Sequence, residues 1–130
     1  CKEGGADLMY TEFISSEGLI RHAAKSKQKL DIFEYERPIG IQLFGEDLDA
    51  LSIAAKEVEQ MGADFVDLNF GCPVPKVVKK GAGSATLKDL LFLRDVLRTV
   101  KSAVNIPVTI KVRTGWDAET RNTHDVAQIA

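Results

Sequence analysis

Four short apolar or β-branched runs follow one another at a mean spacing of about 34 residues, separated by stretches of helical periodicity. No other feature of the chain narrows its fold as much. Residues 6–13 (ADLMYTEF), 39–45 (IGIQLFG), 65–69 (FVDLN) and 108–113 (VTIKVR) predict strands. Between the first two, Ser15 or Ser16 is placed to cap a helix that runs through Lys25 or a little beyond. Asp47 caps a second helix to about Met61, with Leu48, Leu51, Ala55 and Val58 on one face and Gly62 placed to end it. A long loop, residues 70–85, carries Pro73, Pro75, Gly81 and Gly83. Beyond it, residues 88–103 predict a third helix with Leu90, Leu93, Leu97 and Val100 as its buried stripe. A further helix begins near Asp125.

Strand–helix–strand repetition implies parallel pairing with right-handed crossovers. A (β/α)8 barrel of ~250 residues allots about 31 residues to each unit, so four units make about half of one. An open doubly wound sheet has similar spacing and is the main alternative. Gly5-Ala6-Asp7 and Gly62-Ala63-Asp64 echo one another ahead of two strands; stacked βα units produce such echoes, and no function follows.

Alternation along each strand separates two faces. Ile39, Ile41 and Leu43 oppose Gly40, Gln42 and Phe44; Val66 and Leu68 oppose Asp67 and Asn69; Val108, Ile110 and Val112 oppose Thr109, Lys111 and Arg113. The aliphatic face is expected against the helices, which aims the polar face into the bore. Leaving such groups unpaired there costs roughly several kcal/mol. The polar row is therefore the best physical sign of a site.

Composition narrows the function classes. The chain is 45% hydrophobic and 28% charged, with a net charge of −2, which fits an ordinary soluble globular protein without a general pull toward nucleic acid or anionic membrane. Any RNA contact has to come from a local basic patch or from other parts of the protein. Two cysteines make neither a disulfide framework nor a metal quartet, and they suit a reducing cytoplasmic compartment. No apolar run approaches the roughly 18 residues of a membrane span.

Several residues are candidates for chemistry. Lys111 sits mid-strand, where it either pairs with Asp67 or places a cation under an anionic ligand; its position toward the strand's carboxyl end favours the ligand. Gln42 offers a donor and an acceptor to the amide edge of a heterocycle, or is bonded to backbone. Glu12 ends the first strand with ambiguous parity, and capping the next helix would also account for it. Cys72 lies just past a strand end, and its place among Gly and Pro argues against simple burial; a thiol that is mostly protonated at neutral pH donates a proton as readily as it attacks. Lys76, Lys79 and Lys80, ahead of Gly81-Ala82-Gly83, are either solvated or a phosphate-contacting rim. Arg21, Lys25, Lys27 and Lys29 read as a solvated helix face and its exit, and His22 and His124 as surface residues. No GxGxxG directly after a strand and no Walker motif is present.

Asn69-Phe70-Gly71-Cys72-Pro73, the following Val77 and Gly81-Ala82-Gly83-Ser84-Ala85, and residues 107–113 (PVTIKVR) resemble the signatures of tRNA-dihydrouridine synthases, in particular the bacterial branch that includes the B-type enzyme. Thr11-Glu12 and residues 41–45 (IQLFG) match in the same order. The resemblance covers nearly the whole chain, and the Cys-containing motif with its Gly-rich tail is highly specific. It implies an FMN-binding TIM barrel, of which residues 1–130 are an internal piece holding roughly the second to fifth strands. It also implies a C-terminal helical tRNA-binding domain, the phosphate-gripping loops and a site histidine, all outside this chain; His124 is not that histidine. The activity implied is reduction of the C5–C6 bond of specific uridines in tRNA. NADPH first reduces FMN, which then gives hydride to C6 while Cys72 gives a proton to C5. Gln42 and Lys111 resemble flavin-contacting residues, Asn69 a contact to flavin or uracil, and Arg113 a site arginine. Neither a metal nor a membrane is expected. An FMN barrel acting on free pyrimidines, such as a dihydroorotate or dihydropyrimidine dehydrogenase, or a non-catalytic RNA-binding barrel would be the alternatives. Half a barrel by itself is expected to be weakly stable and inactive unless two copies pair.

Overall fold

The computed structural model describes residues 1–21, 30 and 32–130. The helix expected through Lys25 is described as far as Arg21; its expected continuation, with His22, Lys25, Lys27 and Lys29, lies outside the described residues.

Asp67 and its neighbours lie at the centre of one parallel sheet. Its strands are β1 (Met9–Tyr10), β2 (Ile14–Ser15), β3 (Ile39–Phe44), β4 (Phe65–Phe70) and β5 (Val108–Val112). The order is β1-β3-β4-β5, with β2 also paired to β3, so the successive strands lie side by side in chain order. A doubly wound sheet reverses direction at its switch point, and no reversal occurs here. The strands curl into part of a TIM barrel.

Helices α1 (Ser16–Arg21), α2 (Leu48–Gln60) and α4 (Leu90–Ala103) pack in sequence against one another outside the sheet, α1 on α2 and α2 on α4. The short α3 (Pro75–Val78) and α5 (Thr123–Ile129) are the other α-helices among the described residues. Ile41, Leu43, Val66 and Leu68 bury their side chains against Leu51, Ala55, Val58, Leu93, Val96 and Val100. The aliphatic strand face thus meets the helical stripes, as alternation requires. In α4 Val96 is fully buried while Leu90 and Leu97 are only partly so, which rotates the stripe slightly from its expected position.

Local chemistry sets the helix starts. Asp47 Oδ1 accepts from Ala50 N at 2.8 Å, and Asp89 Oδ1 accepts from Phe92 N at 2.9 Å. Lys88, expected to open α4, belongs to a preceding 3-10 segment, Gly83–Lys88. The loop over residues 70–85 is therefore less irregular than its Pro and Gly content suggests, because α3 and this segment occupy much of it.

The first strand departs most from expectation. Met9 pairs with Ile39 and Ile14 with Leu43, so three residues, 11–13, oppose two on β3. This is a β-bulge. It splits the strand, moves its start from Ala6 to Met9, and exchanges the faces of the residues on either side. That exchange is the physical reason parity around Glu12 is ambiguous. The strand then runs into α1, where Ser15 Oγ accepts from Gly18 N at 3.4 Å.

Candidate active site

The polar strand face forms layers inside the bore. At the bottom the Phe65 ring covers Gly40, where any Cβ would collide with it. Above it the buried Gln42 and Asp67 meet Thr109: Gln42 Nε2 donates to Asp67 Oδ2 at 2.5 Å, and Thr109 Oγ1 donates to Asp67 Oδ1 at 2.6 Å. At the carboxyl ends of the strands Asn69 Nδ2 donates to Gln42 Oε1 at 2.8 Å. The row of buried polar groups, costly if left unpaired, therefore pairs largely with itself. Gln42 is held by side chains, not by the backbone partners considered as its alternative.

Asn69 also anchors the cysteine loop. Its Oδ1 accepts from Gly71 N at 3.1 Å and from Cys72 N at 2.9 Å. From the neighbouring strand end Arg113 Nε donates to the Gly71 carbonyl at 2.5 Å, and Ser84 N donates to the Cys72 carbonyl at 2.9 Å. Gly83 lies at φ +61°, and a Cβ there would stand 2.7 Å from the Cys72 carbonyl oxygen. The Gly-rich tail of the motif thus lets two backbone segments touch.

Cys72 is only 7% exposed and packs with Val77, Ala82 and Phe44. This corrects the expectation that its Gly and Pro neighbours keep it from burial: the loop folds back on itself and covers the side chain. Its residue nevertheless lines an open cavity of about 490 Å³ at the strand carboxyl ends, together with Gln42, Asn69, Lys111, Arg113 and the bulge residues Thr11, Glu12 and Phe13.

Lys111 is exposed, and among the described residues its ammonium has neither a hydrogen-bond nor a salt-bridge partner. The Asp67 pairing considered as its alternative does not form; that carboxylate accepts from Gln42 and Thr109 instead. A cation is thereby left facing the cavity beside two buried amides. Glu12 is exposed on the cavity wall and does not cap α1.

The loop lysines separate. Lys76 and Lys80 line a second cavity of about 330 Å³ with Ser15, Arg21 and Phe44, while Lys79 is exposed. Glu17 sits among them, 3.3 Å from Lys80 Nζ and 3.5 Å from Arg21 Nη2. His124 is exposed on α5. Among the described residues no group of three or more His, Cys, Asp or Glu is placed to hold a metal, and no helix is long and apolar enough to cross a membrane.

Sequence reasoning missed the anchoring of Asp67 by Thr109 and of Gly71 by Arg113. Alternation places both residues on the bore face, but their partners depend on the β4–β5 register (Asp67 opposite Thr109, Asn69 opposite Lys111), which pattern alone does not set.

All 130 residues match the family model described as Dihydrouridine synthase (Dus). The chain is 39% identical over 130 residues to the tRNA-dihydrouridine synthase B of Pseudomonas syringae pv. tomato, covering 100% of this chain and 39% of that protein. It is 43% identical over 131 residues to a probable tRNA-dihydrouridine synthase of Rickettsia prowazekii, covering 99% of this chain and 40% of that protein. A tRNA-dihydrouridine synthase B of Shewanella oneidensis is 39% identical over 130 residues, with 100% and 40% covered. The chain spans about two fifths of the length of these curated relatives.

Proposed function

The chain belongs to the dihydrouridine synthase family, and from that premise we propose that the protein carrying it reduces the C5–C6 bond of specific uridines in tRNA to dihydrouridine. The observation that carries this reading is the cavity at the strand ends, where an unpaired lysine and two buried amides lie beside the cysteine loop. Their chemistry fits FMN. An ammonium favours a ring system that becomes anionic on reduction, and carboxamides suit its imide edge. Gln42, Asn69 and Lys111 would hold the flavin. When bound and reduced by NADPH, FMN supplies the hydride that goes to C6 of the uracil.

Cys72 supplies the proton. As hydride reaches C6, the C5–C6 π electrons take up a proton at C5; the Cys72 thiol gives it and is left as a thiolate to be reprotonated from solvent. The uracil has to leave its stack to reach this cavity. Arg113 holds the cysteine loop through the Gly71 carbonyl and so orients the donor. Lys76, Lys79 and Lys80 lie on the loop after Cys72, where they would meet backbone phosphates of the tRNA. Both cysteines are free, which suits a reducing cytoplasmic compartment.

A map of dihydrouridine positions in tRNA from cells lacking the gene tests the proposal. Loss of dihydrouridine at one or more defined positions is expected; a map identical to that of the parent cells would overturn it.

A further inference from the structure

The structure points to a role for two bore residues that the reaction does not itself require. We propose that Asp67 and Thr109 are positioning residues: they fix the direction of the two site amides and, through them, the seat of Cys72. The inference deepens the reading of this same site and rests on it for the step at which Cys72 acts.

A carboxamide has a donor end and an acceptor end of nearly equal size, so packing does not decide which way it points; its hydrogen-bond partners do. Here both ends of the chain of bonds are unambiguous. At one end stands the Asp67 carboxylate, which is 3% exposed and accepts from Gln42 Nε2 and Thr109 Oγ1. At the other stand the backbone N–H groups of Gly71 and Cys72, which only donate, both to Asn69 Oδ1. Between them Asn69 Nδ2 donates to Gln42 Oε1. Every bond runs the same way, from the cysteine loop through Asn69 and Gln42 to Asp67. The two ends agree, so the direction is set twice.

Thr109 completes the device. Its hydroxyl donates to Asp67 Oδ1 while Gln42 donates to Oδ2, and Lys111 lies opposite Asn69, one layer above that carboxylate. The cation is thereby kept for the cavity, and the amides are kept in one orientation toward whatever binds there.

Loss of Asp67 leaves Gln42 Nε2 buried without its acceptor, so the Gln42 amide turns away and Asn69 Nδ2 loses its partner in turn. Cys72 then sits on a looser loop. Asp67→Asn behaves differently. Its amide oxygen still accepts from Gln42, and its NH2 donates to Thr109, whose hydroxyl rotates to accept. Direction is kept without the charge.

The test compares Asp67→Ala, Asp67→Asn and Thr109→Val in the full-length protein, each with Cys1→Ser so that the exposed cysteine does not interfere. Iodoacetamide alkylation of Cys72 is followed by peptide mass spectrometry, which reads the seat of the thiol without requiring any turnover. Between about threefold and tenfold faster alkylation is expected for Asp67→Ala, a smaller increase for Thr109→Val, and a rate near the parent's for Asp67→Asn. Dihydrouridine formation should fall in the same order, mainly in kcat. If Asp67→Ala does not fold, Thr109→Val, which keeps the shape of the side chain and removes only its hydroxyl, decides alone. Parent-like alkylation in the folded Asp67→Ala or Thr109→Val protein overturns the inference, as does an Asp67→Asn protein as perturbed as Asp67→Ala. A parent protein that forms no dihydrouridine overturns the functional reading instead, and the alkylation order still judges the positioning role.

Discussion

Gly83 and Lys111 illustrate how single residues shape this cavity. With φ +61° and only 2.7 Å between a built Cβ and the Cys72 carbonyl, Gly83 has no room for a side chain. Gly83→Ala is expected to cost about 1–3 kcal/mol and to lower activity, because relief of the clash moves the cysteine loop. Denaturant unfolding of the full-length protein checks it, and unchanged stability would contradict the close approach. Lys111→Ala removes the cation that faces the cavity, so FMN affinity should fall by about tenfold or more; equilibrium titration of flavin fluorescence reads the change. At this scale the residue types were legible in the sequence, since Gln, Asn and Lys on a bore face are costly without a purpose. Their partners were not. That Asp67 prefers Gln42 and Thr109 to Lys111 follows from register and rotamer, and the burial of Cys72 follows from how its loop folds back.

Elements were legible where a local rule governs them and obscure where two strands negotiate. Asp47 announces the start of α2, and Asp47→Ala should destabilise the protein by about 1 kcal/mol while leaving flavin binding intact, a separation that thermal melts and titration together reveal. The bulge at residues 11–13 has no such signature, because it exists only in the pairing with β3. The β5–α5 connection yields a pH prediction. The Thr120 hydroxyl, then the Thr120 and Glu119 backbone N–H groups and the nearby Lys88 charge, hold the Asp117 carboxyl below its ordinary value despite some desolvation that opposes them. A depressed carboxyl stabilises the loop above its ordinary range, and that contribution is lost as pH falls through the lowered pKa. Trp116, the chain's one tryptophan, lies beside it with Lys88 Nζ 3.7 Å from its ring centroid. Its fluorescence should therefore change on acidification below the usual carboxylate range, and Asp117→Asn should remove that step. An identical acid titration in the variant would contradict the assignment.

On the scale of the whole molecule, strand spacing carried the fold: four βα units in chain order make part of a barrel, and the absence of a reversal excludes the doubly wound alternative. The sheet ends on the bulged first strand at one side and on β5 at the other, each with an open edge. The 130-residue chain by itself is expected to associate through those edges or to unfold without cooperativity; a sharp, monomeric thermal transition would argue otherwise. What no pattern supplies is the proton's route, since the role of Cys72 rests on its family and on the cavity it borders. Purified full-length Cys72→Ala protein, assayed for bound FMN and for dihydrouridine formed in tRNA, tests that role most directly. The account predicts a flavin absorbance band like the parent's with turnover severely reduced; full turnover in that variant would contradict it.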